Sequence, residues 1–192
     1  MAGYDQIQET VQHIRATTDF VPDYGIILGS GLGPLADEIE PVAVLPYAEL
    51  PHFPRSTAPG HEGKLILGHL EGKRVAAYKG RVHYYEGYDA DAVVFPQRVG
   101  FFLGARTFFV TSAAGGLNPN WNAGDLMLHL DYINYAGLSP LRGPNDERFG
   151  PRFPVTFDAY DPELIAKARA VARTQDITLR EGVYSWWPGP QF

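Results

Sequence analysis

Residues 24–34 read YGIILGSGLGP and residues 106–116 read RTFFVTSAAGG. Each is a short apolar run that stops in a loop of glycine and other small residues. Apolar runs of this length, rich in β-branched and aromatic side chains and bounded by glycine, are expected as strands. The first predicts strand 24–28, a glycine loop from Gly29 to Pro34 and a helical stretch through Ile39. The second predicts a buried strand over 106–111 that runs into Ser112-Ala113-Ala114-Gly115-Gly116.

Working outward, Tyr4, Ile7, Val11 and Ile14 recur at helical spacing and predict an amphipathic helix ending near Thr17. Residues 64–70 and 74–78 form a hairpin signal across Glu71-Gly72. Residues 91–103 are mixed, with helix expected after Pro96. Residues 126–133 read as a strand, and 138–154 as a long loop of Pro, Gly and Arg. Asp161-Pro162-Glu163 combines an N-cap, a proline at the first helical position and an acidic first turn. Leu164, Ile165, Ala168 and Val171 then form the predicted apolar stripe. After residues 177–179, a last strand is expected over 182–187. Strands alternating with helices imply an α/β fold.

The 192 residues suit one domain with a sizeable core, and 45% hydrophobic against 20% charged residues is the balance of a folded protein. A net charge of −6 supplies no positive field for a nucleic-acid partner, so any phosphate needs a local site. Without cysteine there is no disulfide framework, thiolate nucleophile or Cys-based zinc site. The opening MAGYDQIQET lacks a signal peptide's apolar core, and no run is long enough to cross a bilayer, so the default expectation is a cytoplasmic protein with no membrane partner.

Several loops could carry chemistry. The 29–33 loop lets backbone N–H groups approach an anion at a helix N-terminus, with Ser30 as a further donor; a tight strand-to-helix turn explains it as well. Pro34 stands where a dinucleotide fingerprint needs glycine, no P-loop motif occurs, and a nicotinamide-dependent enzyme is disfavoured. In residues 80–88, Arg81 offers a planar fork for an oxyanion, His83 and Tyr85 can bind hydroxyls, and Glu86 can orient the Arg; the alternative is an exposed aromatic turn. Residues 59–63 place His61 in a third polar loop, and 112–116 form a fourth loop that permits close backbone approach. The six histidines show no H-x-x-x-H pair, so no metal is expected, and no G-x-S-x-G elbow marks a serine hydrolase.

Taken in order, LGSGLG (28–33), PGHEGKL (59–65), KGRVHYYEGY (79–88), TSAAGGLN (111–118), NDERFGPRFP (145–154), AYDPEL (159–164) and GVY…PGPQF (182–192) resemble purine nucleoside phosphorylase over essentially the whole chain. The likeness is to the trimeric class, which includes xanthosine and guanosine/inosine phosphorylases and, more distantly, methylthioadenosine phosphorylase. It implies a phosphorylase/hydrolase-like α/β fold with a central mixed sheet flanked by helices, as one nucleoside phosphorylase domain over 1–192. It also implies phosphorolysis of a purine (deoxy)ribonucleoside to free base and (deoxy)ribose 1-phosphate.

By position, the resemblance puts Ser30, His61, Arg81, Val82, His83 and the backbone N–H of Ala113 at the phosphate, with Ser30, Arg81 and His83 catalytic. Tyr85 matches a ribose contact, Phe192 a base-stacking aromatic, and Phe153 a residue that reaches into a neighbouring subunit's site. A homotrimer is therefore expected, with orthophosphate as co-substrate and neither metal nor organic cofactor. Ser112 departs from the family's usual Asn, Gln191 from a small residue, and Trp186-Trp187 is bulkier than typical. The family also continues past the position of Phe192 with strands and helices that carry a purine-binding Glu and Asn, a phosphate serine and a ribose-binding His. The expectation is thus a C-terminally incomplete domain lacking its last strands and helices, with phosphorolysis well below that of a longer form. The alternative is a remnant that only binds phosphate or assembles.

Overall fold

The computed structural model describes residues 3–55 and 63–190, which divide into two compact units, Met1–Ala113 and Ala114–Phe192. In the first, β1 (Tyr24–Leu28) lies between β4 (Lys73–Lys79) and β5 (Thr107–Val110) and runs parallel to both. Antiparallel to β4 is β3 (Lys64–Leu70), and β2 (Glu40–Pro46) pairs antiparallel with β3, giving the order β2-β3-β4-β1-β5. The β3–β4 hairpin turns at Glu71 and Gly72, both in the left-handed region (φ 48° and 70°), so the turn's twist matches that of its strands.

The central strands β3 and β4 are buried on both faces, as their apolar runs require. Val75 and Ala77 of β4 join Leu28, Ile66, Ala36 and Ile39 in one cluster. The alternate residues Ala76 and Tyr78 are equally buried and face the opposite way. On that second side the Tyr78 hydroxyl donates to the Pro96 carbonyl (2.9 Å) of α2 (Ala90–Leu103). Helix α1 (Tyr4–Thr17) packs on α2 through the edge-to-face pair Tyr4–Phe102. This α/β architecture with a mixed sheet and packed helices is the expected fold class.

Four local expectations are corrected. Helix α2 begins at Ala90 and runs through Pro96 rather than starting after it. An interior proline costs about 3 kcal/mol. Burying Phe95, Val99 and Leu103, at about 1.5–3 kcal/mol each, outweighs that cost. The stretch after the glycine loop is a six-residue 3-10 helix, Gly33–Glu38, rather than an α-helix. Strand 106–111 is shorter than expected and lies at the sheet's edge, where Phe109 and Val110 are 45% and 65% exposed. Strand β2 was not expected; its pairing carries an irregularity between Pro41 and Ala43, a position where a strand tolerates proline.

In the second unit, β6 (Leu126–Asn134) and β7 (Leu179–Trp186) pair in parallel, connected through α3 (Pro162–Thr174). Here β7 begins at Leu179, three residues before the expected start at 182, and ends at Trp186. The α3 stripe is Leu164, Ile165, Ala168 and the buried Ala172, while Val171 is 57% exposed. The predicted cap is present: the Asp161 carboxylate accepts from the Glu163 and Leu164 backbone N–H groups (2.8 and 3.0 Å). Asp161→Ala should therefore lower stability by about 1 kcal/mol, read as a reduced midpoint of chemical denaturation, with Asp161→Asn close to wild type.

His129 on β6 stacks on Tyr184 of β7 (4.9 Å, 12°) with the Tyr160 ring edge-on at 6.0 Å. Burial lowers its pKa from the ordinary 6.5, because the aromatic surroundings solvate the imidazolium poorly. Since the unfolded chain binds this proton first, the neutral ring's contribution is intact above pH 6.5 and is lost as pH falls through the lowered value. Melting temperature measured from pH 7 to 5 should fall less steeply in His129→Gln than in wild type.

Candidate functional site

Because β1 is parallel to both neighbours, with Leu28 opposite Lys79 and Ile27 opposite Val110, the loops that follow β4, β1 and β5 leave the same edge of the sheet side by side. The carboxyl ends of parallel strands are where open α/β sheets place ligands. The sequence-predicted constellations 29–33 and 80–88 and the start of the 112–116 loop are brought together by this pairing alone.

Thr111 ties the first and third. Its backbone N–H and its hydroxyl both donate to the Ile27 carbonyl (3.1 and 2.8 Å), and its Oγ1 accepts the Gly29 N–H (2.8 Å). The fit is close enough that a Cβ on Gly29 would lie 2.6 Å from the Thr111 carbonyl oxygen and 2.9 Å from Ser112 Cα. Glycine at 29 is thus required by the neighbouring backbone. Ser30 follows on an exposed turn.

The 80–88 segment begins with Gly80 at φ 104°, whose carbonyl accepts the buried Tyr47 hydroxyl (2.8 Å). Burial raises the Tyr47 pKa well above the ordinary 10.0, which keeps it a donor. Arg81 then turns back across the strand ends: Nη1 donates to the Thr111 carbonyl (2.5 Å), and Nε to His83 Nε2 (3.2 Å). His83 Nδ1 lies 2.8 Å from Glu86 Oε1, which also accepts the His83 backbone N–H (2.7 Å). With Nε2 accepting from Arg81, Nδ1 is the protonated nitrogen of the imidazole facing a carboxylate whose side chain is only 3% exposed. Tyr85 stacks on the His83 ring at 4.6 Å and 16° while remaining 46% exposed.

The sequence expectations sort accordingly. Arg81, His83, Tyr85, Ser30 and the exposed Ala113 belong to the three converging loops. Glu86, expected to orient Arg81, holds His83, whose other ring nitrogen accepts from the guanidinium. The Val82 side chain is 3% exposed and packs in the core, so only its backbone can face a ligand. The helix-dipole argument for the 29–33 loop loses its helix, since a 3-10 turn of six residues gathers little dipole. His61 and Phe192 lie outside the described residues. In the second unit, Phe153 is 87% exposed.

Residue reading passed over Thr111 and Tyr47, neither of which was singled out. For Thr111 the available signal was a threonine at the point where a strand enters a small-residue loop. Lys79, the last residue of β4, adds a second cation 3.4 Å from Asp37. Among the described residues no cluster of His, Cys, Asp and Glu could hold a metal ion, and no helix is long and apolar enough to cross a membrane.

Residues 23–192 match the Phosphorylase superfamily. Over 188 residues the chain is 47% identical to purine nucleoside phosphorylase 1 of Bacillus subtilis, covering 98% of this chain and 69% of that one. The chain belongs to the purine nucleoside phosphorylase family. Against purine nucleoside phosphorylase of Anopheles gambiae identity is 46%, covering 98% of this chain and 55% of the relative. A crystal structure of isoform 2 of purine nucleoside phosphorylase from Schistosoma mansoni, in complex with cytosine and ribose-1-phosphate, superimposes with a TM-score of 0.93 at 40% identity. It covers 100% of this chain and 69% of the other. The chain therefore spans about half to two-thirds of the length of these family members.

Proposed function

We propose that the three converging loops hold orthophosphate for the phosphorolysis of a purine (deoxy)ribonucleoside to free base and (deoxy)ribose 1-phosphate. In this reading orthophosphate is a co-substrate, and the chemistry draws on no resident cofactor. The observation that carries it is the chain of hydrogen bonds Thr111–Arg81–His83–Glu86 at the strand ends of a member of this family. Arg81 presents a permanent cation and a planar donor fork; Ser30, the His83 imidazole and the Ala113 N–H surround the same anion. His61 and the Val82 backbone complete the phosphate set.

The proposed chemistry follows from phosphate being a weak nucleophile. A phosphate oxygen held beneath C1′ closes on that carbon as the C1′–N9 bond breaks; the bonding pair leaves with the purine, which takes up a proton from water while the monohydrogen phosphate gives one up on becoming the ester dianion. Positive charge builds on the ribose ring in between, so the fixed dianion stabilises it through position and charge. Tyr85, exposed and braced on His83, is suited to a ribose hydroxyl; in this reading Phe192 stacks on the base and Phe153 meets the nucleoside in a neighbouring subunit's site.

Phe153 would act from one subunit on its neighbour, so the reading includes a homotrimer. Its support is the exposure of Leu117, Phe153, Val155 and Phe157, which are 73–92% accessible in the single chain. The test is hypoxanthine release from inosine with phosphate present and withheld. Release that depends on phosphate, with equimolar ribose 1-phosphate, is expected; equal release without phosphate would make the reaction a hydrolysis and overturn the proposal.

A further inference from the structure

We propose that Thr111 is a positioning residue for phosphate, acting through Arg81; the inference rests on the phosphate-site reading above. A hydroxyl has one proton to give. The Ile27 carbonyl can only accept and the Gly29 N–H can only donate, so the directions at Oγ1 are settled: it donates to Ile27 (2.8 Å) and accepts from Gly29 (2.8 Å). The same residue's carbonyl receives Arg81 Nη1. Thus one residue bonds to the end of β1, to the first N–H of the glycine loop and to the cation. Shifting the Thr111 peptide would move all three relative to one another.

This arrangement differs from ordinary strand pairing. The backbone ladder between β1 and β5 already joins Thr111 N–H to the Ile27 carbonyl (3.1 Å), so the hydroxyl is not needed to hold the strands together. Its added effect is to bond the first N–H of the glycine loop and to fix the rotation of the peptide whose oxygen faces Arg81. A guanidinium held at Thr111 on one side and at His83 on the other is ordered before phosphate arrives, and preorganised donors bind an anion more tightly than mobile ones.

The experiment measures orthophosphate affinity by isothermal titration in wild type, Thr111→Val, Thr111→Ser and Arg81→Lys, and in Thr111→Val combined with Arg81→Lys. Valine keeps the shape and removes the hydroxyl; a rise in Kd of about 5- to 10-fold is expected, the cost of ordering one long side chain only on binding. Serine restores the hydroxyl and should bind within about threefold of wild type. Because Thr111 acts through Arg81, the valine change should cost much less in the Arg81→Lys background than in wild type.

Unchanged Kd in Thr111→Val, an equally large loss in Thr111→Ser, or full additivity with Arg81→Lys would each overturn the proposal. If Thr111→Val does not fold, wild-type affinity in Thr111→Ser still supports the hydroxyl's role and a large loss there still refutes it. Unchanged Kd in Arg81→Lys would instead bring down the phosphate-site reading itself, so the two failures are distinguishable.

Discussion

Arg81→Ala is expected to weaken orthophosphate binding by about 2–5 kcal/mol, a loss of roughly 30- to several thousand-fold in affinity. The substitution removes the guanidinium from an anion cradle and takes a donor away from both the Thr111 carbonyl and His83 Nε2. His83 would keep its contacts with Glu86, so the loop should stay folded while the cation disappears. Arg81→Lys retains charge, but a single ammonium on a flexible stem cannot span two partners with a planar fork, so it should fall between alanine and wild type. Isothermal titration with phosphate, beside a denaturation curve, separates lost binding from lost fold. Equal phosphate affinity in all three proteins would remove Arg81 from the site.

Gly29→Ala should be the most destabilising small change in the glycine loop, at about 3 kcal/mol or more. A methyl group there meets the Thr111 carbonyl oxygen at 2.6 Å and Ser112 Cα at 2.9 Å. Both obstacles are backbone, so no side-chain rotation relieves them, and the strands must separate where β1 pairs with β5. Because the displaced carbonyl also holds Arg81, phosphate affinity should fall with stability. Gly33→Ala is the control, since a Cβ there meets nothing within 4 Å. Denaturant midpoints for the two variants should differ clearly; equal midpoints would mean that the loop absorbs the methyl group and that the contact with β5 is soft.

The two glycines look alike in the sequence, and that contrast shows where reading residues alone stops. Strand 24–28, the hairpin across Glu71-Gly72, helix α1 and the Asp161 cap were all legible, because each depends on residues within a few positions of one another. Helix α2 was misjudged at Pro96 because the local cost of proline is visible while the burial of Phe95, Val99 and Leu103 is not. The exposed Phe109 and Val110 follow the same logic: aromatic and β-branched residues predict a strand, but burial depends on what lies beside it.

Of the site, residue types and segments were readable, and the family resemblance supplied their roles. What local chemistry could not supply was the pairing across distance. Arg81 meets Thr111 over 30 positions, and Thr111 meets Gly29 over 82, only because β1 aligns in parallel with β4 and β5. Periodicity, capping and turn propensity act between near neighbours in the chain, so the sequence already carried the elements and the small-residue loops that end them. Strand order and register are collective outcomes of burying the sheet's central strands, and they alone decided which loops became neighbours and which glycine had to stay bare.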